Sequence, residues 1–136
     1  MNVVEKHDRV ARAVRLITAG VRPNIVTLDT GVSVQMLRAI YAERHGSRAT
    51  PGQLPTPEGV LRRRAAYIEA CVLLHLYERL ADAPMDAVDL DALVAARNLQ
   101  AGAMPVEIDI NHSWVLARAL RARLIVLSPC RRCRVT

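Results

Sequence analysis

The chain has 136 residues, of which 51% are hydrophobic and 3% aromatic, with no Phe. This length suits one domain, or one domain with a small appendage, and the apolar fraction excludes a disordered chain. The core must be built from Leu, Val, Ile and Ala, which favours helices. No apolar run reaches the length of a membrane span and the N-terminus lacks a signal-peptide core, so we expect a cytoplasmic protein with no membrane partner.

The formal net charge is +6 and is unevenly distributed. Residues 1–48 contain eight Lys or Arg and four acids, residues 65–109 contain two Arg and eight acids, and the residues after Asp109 contain six Arg and no acid. Basic ends therefore flank an acidic middle, which supports a nucleic-acid partner. The support is weak, since 18 of the 19 cationic residues are Arg, and biased codon usage produces the same excess.

The first predicted element is an amphipathic helix over residues 3–19, capped by Gly20. Its apolar stripe runs through Val3, His7, Val10, Val14 and Ile17. We expect His7 to be a partly buried core histidine or an interface histidine, and not a ligand, because no partner ligand lies nearby in sequence.

Residues 21–46 predict two short helices that resemble a helix-turn-helix. Pro23 suits the first helical turn, Gly31 supplies the turn between the helices, and Ser33 is a good N-cap for the second helix. Gln35 and Arg38 lie on the polar face of that helix, where Gln can pair with adenine and Arg with guanine. The alternative is an ordinary helical hairpin in which Arg38 is a solvated surface charge.

A connector over residues 47–56 is followed by a long predicted helix over residues 57–81. Thr56 and Pro57 provide its start. Leu73, Leu74 and Tyr77 widen its apolar stripe, so we expect much of it to be buried against the domain or a partner. The stripe itself consists of Leu61, Ala65, Ile68, Val72, Leu76 and Leu80.

Two further helices are predicted, one starting at Asp89 and one from about Asn111 to Arg121. Leu124 to Leu127 then forms a short β-like run that leads into Cys130 and Cys133. A strand before C-x-x-C is typical of a zinc ribbon, but a closed structural site needs four ligands and this pair supplies two. Disulfide redox chemistry and free thiols are the alternatives, and zinc is preferred in a cytosolic chain without a thioredoxin-like pattern.

In order, these features resemble the FlhC family of bacterial flagellar transcriptional activator subunits. The resemblance covers most of the chain and is weakest over residues 82–108. It is carried by the segments 14–22, Leu37, Tyr41, Glu43, Gly46-Ser47, Leu54-Pro55, 119–120 and 127–133.

The resemblance implies an all-α helical domain over residues 1–122 and the start of a zinc-binding region over residues 123–136. By position, Cys130 and Cys133 would be the first pair of zinc ligands, while the second pair of the family is missing. It also implies an FlhD-like partner in a hetero-oligomer, promoter DNA as a ligand and RNA polymerase as a further candidate partner.

The predicted function is that of a DNA-binding transcriptional activator subunit, without enzymatic activity or a small-molecule substrate. A helical interaction subunit that docks FlhD without reading DNA is the alternative. In the first interpretation, Gln35 and Arg38 contact bases or the groove and Arg44 and Arg48 contact phosphates. The complete predicted DNA-binding set is Ser33, Gln35, Arg38, Arg44, Arg48, Arg131, Arg132 and Arg134.

Overall fold

The computed structural model describes residues 2–49, 52–82 and 87–128. Across these residues the protein is all-α, with seven helices and no β-strand. No helix in the described ranges is long and apolar enough to cross a membrane. The chain divides into two compact units, unit 1 over residues 1–53 and unit 2 over residues 54–136. The helical domain predicted over residues 1–122 is not tested by this division and stays a prediction.

Unit 1 is built from helices α1 (Val3–Thr18), α2 (Pro23–Thr30) and α3 (Val34–His45). Each of the three helices packs on the other two. Their shared core is aliphatic, because these helices present Leu, Ile, Val and Ala to one another. Its buried members are Ala13, Leu16, Ile17, Val21, Ile25, Val26, Val32 and Leu37.

The N-terminal and C-terminal ends predicted for helices α2 and α3 are confirmed. Gly31 ends α2 with a φ of 76°, and Gly46 ends α3 with a φ of 73°; both are left-handed conformations that favour glycine. The Ser33 hydroxyl accepts a hydrogen bond of 3.4 Å from the Met36 backbone N–H, which caps the start of α3. The role of the pair as a DNA-binding helix-turn-helix remains a separate prediction.

The predicted apolar stripe of α1 is buried only in its C-terminal half. The buried residues of α1 are Ala13, Leu16 and Ile17, while Val3 is 84% exposed. His7 is also exposed, so the prediction of a core histidine is wrong, while an interface histidine stays a prediction. The reason is that burial in α1 starts only at Ala13, so its first turns extend past the core of unit 1.

Unit 2 contains α4 (Pro57–Leu61), α5 (Arg64–Leu80), α6 (Leu90–Ala103) and α7 (Ile110–Arg121). The single helix predicted over residues 57–81 is wrong, because the chain breaks at Arg62 and Arg63, and Arg63 is extended with a ψ of 140°. Arg is a good helix former, so local propensity does not require the break. In the structure α4 packs on α7 as well as on α5, and these tertiary contacts are not encoded in the local sequence.

The buried face of α5 is also different from the predicted stripe. Ala66, Ala70, Leu73 and Leu74 point into unit 2 and pack within a core shared with α6 and α7. Four of the stripe residues are exposed instead: Ala65, Ile68 by 51%, Val72 by 38% and Leu80 by 42%. The domain therefore buries Leu73, Leu74 and Tyr77 as predicted, while burial of the exposed stripe residues against a partner stays a prediction.

A buried glutamate fastens the loop between α6 and α7. One carboxylate oxygen of Glu69, Oε1, accepts hydrogen bonds of 2.8 Å from the backbone N–H groups of Glu107 and Ile108. The Glu69 carbonyl accepts a 2.8 Å hydrogen bond from Gln100 Nε2, and Arg97 donates to the Ile108 carbonyl through Nε and Nη2. The loop backbone is thus bonded to side chains of both α5 and α6.

Replacing Tyr77 by Phe is expected to lower the free energy of unfolding by about 1–2 kcal/mol. Tyr77 is fully buried, and its hydroxyl oxygen accepts hydrogen bonds from Asp89 N at 2.9 Å and from Arg121 Nε at 3.3 Å. The variant leaves both donors without this acceptor. Urea denaturation measures the difference, with Tyr67→Phe as the control, since Tyr67 is on the same helix but 55% exposed. Equal stabilities of the two variants would contradict the assigned role.

The β-like run predicted at Leu124 to Leu127 does not form a strand. The described residues contain no other strand with which it could pair. Instead, Arg123 takes a φ of 61° and the N–H groups of Leu124 and Ile125 both reach the Ala119 carbonyl, which closes the end of α7. The predicted zinc-ribbon cysteines, Cys130 and Cys133, lie outside the described residues.

Candidate nucleic-acid interface

The exposed face of α3 carries two of the predicted DNA-contacting residues. Leu37 is the only buried residue of this helix, and it holds the opposite face against the core. Gln35 and Arg38 are both exposed and are three residues apart, so they lie on neighbouring positions of one helix face. Ala39 and Ala42 continue that face with small side chains, which leaves Gln35 and Arg38 as its protruding polar groups.

Three arginines line one concave surface in unit 1, which we call the arginine cavity. Arg22 precedes α2, Arg38 lies in α3, and Arg48 follows α3. Arg22 donates a 3.3 Å hydrogen bond from Nη1 to the Gly52 carbonyl, which also lines the cavity. The remaining lining residues are Pro23, Asn24, Ala39, Ala42 and Ala49. The structure therefore brings the predicted Arg38 and Arg48 to one site.

Arg22 is a member of this cavity that the sequence prediction missed. It is the N-cap residue of α2, and its side chain makes no capping hydrogen bond to that helix. The available signal was a basic residue directly before Pro23, at the positive end of a predicted helix. Its proximity to Arg38 and Arg48 depends on the packing of α2 against α3, which the sequence does not specify.

Ser33 and Arg44 are placed differently from Arg38. The Ser33 hydroxyl caps α3, so it already has a structural role. Arg44 is exposed but nine residues beyond Gln35, which corresponds to about 180° around the helix axis. Arg44 therefore does not share the exposed face of Gln35, and its predicted phosphate contact remains untested.

The predicted C-terminal site cannot be compared with the structure. Cys130, Cys133 and the three tail arginines, Arg131, Arg132 and Arg134, all lie outside the described residues. Within the described ranges, no group of three or more His, Cys, Asp or Glu side chains could hold a metal ion. Cys71 belongs to no such group, and burial raises the pKa of its thiol. Two cysteines alone do not complete a tetrahedral structural zinc site, so zinc binding by this chain stays a prediction.

A second surface is apolar and lies on α5. We define the apolar face of α5 as Ile68, Val72, Leu76 and Leu80, which recur every four residues and therefore follow one side of the helix. Ile68 is half exposed and Val72 and Leu80 are more than one-third exposed. Arg64 continues the same row at the start of the helix and is exposed. This exposed apolar row is a candidate contact surface for another protein.

The family model described as flagellar transcriptional activator (FlhC) matches residues 1–136. Three curated proteins named flagellar transcriptional regulator FlhC are similar over nearly the whole chain. The protein of Thauera aminoaromatica is 26% identical over 97% of this chain and 70% of its own length. That of Verminephrobacter eiseniae is 26% identical over 97% of the chain and 74% of its own length. That of Paraburkholderia phymatum is 25% identical over 95% of the chain and 61% of its own length.

These matches define the class of protein: a regulator of flagellar transcription and not an enzyme. The chain belongs to the FlhC family. The resemblance read from the sequence is thereby confirmed at the level of the family.

Proposed function

We propose that this chain is the DNA-binding subunit of a flagellar transcriptional activator and that it acts together with an FlhD-like partner. The observation that carries the proposal is the exposed Gln35 and Arg38 face of α3, next to Arg48 in a basic unit. Residues 1–53 contain eight Lys or Arg and four Asp or Glu, a net charge of +4 from their difference. This excess attracts the phosphate backbone, and base-edge contacts then supply sequence preference.

In the proposed complex, α3 enters the major groove with its N-terminal turns. A recognition helix contacts base edges chiefly through its first residues, and Gln35 is the second residue of α3. Its amide can form two hydrogen bonds with adenine. Leu37 faces the core and fixes the rotation of α3, so that Gln35 faces outward.

Replacing Gln35 by Ala is expected to reduce the preference for a promoter duplex over a scrambled duplex about 5- to 160-fold, because one bidentate base contact contributes roughly 1–3 kcal/mol of discrimination. Affinity for the scrambled duplex should be unchanged, since Gln35 carries no charge. Fluorescence anisotropy with the chain co-purified with FlhD measures both affinities at two salt concentrations. An unchanged preference for the promoter duplex would show that Gln35 does not contact the bases.

The second candidate function is a helical interaction subunit that docks FlhD while another chain reads DNA. The apolar face of α5 favours it, because that face is exposed and unit 2 contains the acidic middle of the sequence. This function predicts that Gln35→Ala and Arg38→Ala leave the DNA affinity of the complex unchanged. Loss of either affinity or preference in these variants selects the DNA-binding subunit instead.

The proposal includes one further candidate partner and three further candidate DNA contacts. RNA polymerase is a candidate partner of the assembled activator at the promoter. Arg131, Arg132 and Arg134 stay predicted backbone contacts. The proposed contacts of Gln35, Arg38 and Arg48 do not depend on zinc, since these three residues lie in unit 1.

A further inference from the structure

The arginine cavity collects positive charge from three separate segments of unit 1. Arg22, Arg38 and Arg48 reach it from the start of α2, the middle of α3 and the segment after α3. The cavity volume is about 560 Å³, within the roughly 300–1,000 Å³ typical of small-ligand sites. It can therefore hold a group larger than a single water-sized ion.

The lining of the cavity is matched to an anion. None of its described lining residues is Asp or Glu. Elsewhere in unit 1 an arginine does have a carboxylate beside it, since Arg12 forms an ion pair with Asp29. Three further lining residues, Ala39, Ala42 and Ala49, have small uncharged side chains. The N-terminus of α2 also meets the cavity at Pro23 and Asn24, which adds the positive end of a helix dipole to the three arginines.

Guanidinium groups select the kind of anion as well as its charge. Their N–H groups form a planar fork that binds the oxygens of a phosphate in pairs. Arg22 is held by its bond to the Gly52 carbonyl, so part of the cavity wall is arranged before a ligand arrives. Gln35 does not line the cavity and stays outside it on the open face of α3.

We infer that the arginine cavity binds a phosphate group of the DNA backbone, so that Arg38 acts with Arg22 and Arg48 as a phosphate clamp and not as a base reader. The inference rests on the proposed DNA-binding function and assigns Arg38 a role different from the one expected from its sequence position. In this arrangement, the clamp fixes the register of α3 on the duplex and Gln35 carries the sequence preference.

The test uses the chain co-purified with FlhD and two duplexes, one with a flagellar promoter sequence and one scrambled. Arg38→Ala and Arg48→Ala should each weaken binding to both duplexes by the same factor, about 5- to 30-fold. Each should also reduce the slope of log affinity against log salt concentration by about 1, as expected when one phosphate contact is lost. Arg38→Lys should lose part of the affinity, because it keeps the charge but not the fork.

Arg15→Ala is the matched control, since Arg15 is exposed on α1 and does not line the cavity. It removes the same charge from the same unit, and we expect less than a twofold change in affinity. Circular dichroism checks that each variant keeps its helical content; this check applies especially to Arg22→Ala, which also removes the hydrogen bond to Gly52.

Two outcomes would overturn the inference while leaving the proposed function intact. One is that Arg38→Ala weakens binding to the promoter but not to the scrambled duplex, which is the behaviour of a base reader. The other is that the cavity variants behave like Arg15→Ala.

A calorimetric titration with inorganic pyrophosphate separates these failures from failure of the proposed function. If the unaltered complex binds neither duplex but binds pyrophosphate, and Arg38→Ala abolishes that binding, the cavity takes a small phosphate ligand and both DNA assignments are overturned. If the unaltered complex binds both duplexes and the clamp variants weaken both equally, the inference is supported.

Discussion

Replacing Glu69 by Ala is expected to lower the free energy of unfolding of unit 2 by about 3 kcal/mol. Glu69 is only 4% exposed, and its Oε1 accepts both loop N–H groups at 2.8 Å. The alanine variant leaves the buried N–H of Ile108 and the part-buried N–H of Glu107 without an acceptor, which costs more than the loss of one exposed hydrogen bond. Urea denaturation followed by fluorescence of Trp114, the only tryptophan, reports on unit 2 directly.

The matched control is Glu107→Ala, which removes a carboxylate from the same loop. Its side chain is 61% exposed and lies 3.7 Å from Arg63, a surface ion pair that contributes little. We expect a change within about 0.5 kcal/mol for this variant. Glu69→Gln should fall between the two, since it keeps a side-chain carbonyl oxygen to accept from the loop. A Glu69→Ala variant as stable as Glu107→Ala would show that the loop does not depend on this carboxylate.

Replacing Ile68 or Val72 by Asp is expected to weaken association with the FlhD-like partner by at least about 10-fold, and the double variant should abolish co-purification. The reason is that a carboxylate placed at the centre of an apolar contact must be buried without a partner, which costs several kcal/mol. In the isolated chain both side chains are exposed to solvent, by 51% and 38%. The same substitutions should therefore have little effect on the stability of the chain itself.

Leu99→Asp is the control for this prediction. Leu99 is 57% exposed on α6, so the substitution introduces the same charge on another helix of unit 2. We expect normal co-purification for this variant. Equal retention of partner by all three single variants would place the docking surface elsewhere on the chain.

Most helix ends could be predicted from the sequence because they depend on local chemistry. Pro23, Gly31, Ser33 and Gly46 each act within one turn of their own position, and the structure uses each as expected. Asp89 likewise starts α6 by accepting from the Ala92 N–H at 3.1 Å. Such signals do not depend on the packing of distant segments, so a single sequence contains them in full.

The predictions of burial failed where they depend on which face of an element meets its neighbours. The segment 64–80 is apolar on almost every side, so its periodicity could not show whether Ile68 or Leu73 faces the core. A charged residue such as Glu69 is usually exposed, and nothing nearby in sequence indicates that its hydrogen-bond donors come almost forty residues later. The arginine cavity has the same character, since Arg22 joins Arg38 and Arg48 only through the packing of α2 and α3.

The division into two units also has a consequence for the order in which the protein is made. All internal contacts of unit 1 are made by the first 53 residues. In unit 2, Glu69 can form its hydrogen bond to the backbone N–H of Glu107 only after 38 more residues have been synthesised. Domains fold as units during synthesis, N-terminal first. We therefore expect the exposed face of α3 with Gln35 and Arg38 to be complete on the ribosome while the loop between α6 and α7 is not yet bonded to Glu69. The growing chain could then attract nucleic acid before unit 2 has folded.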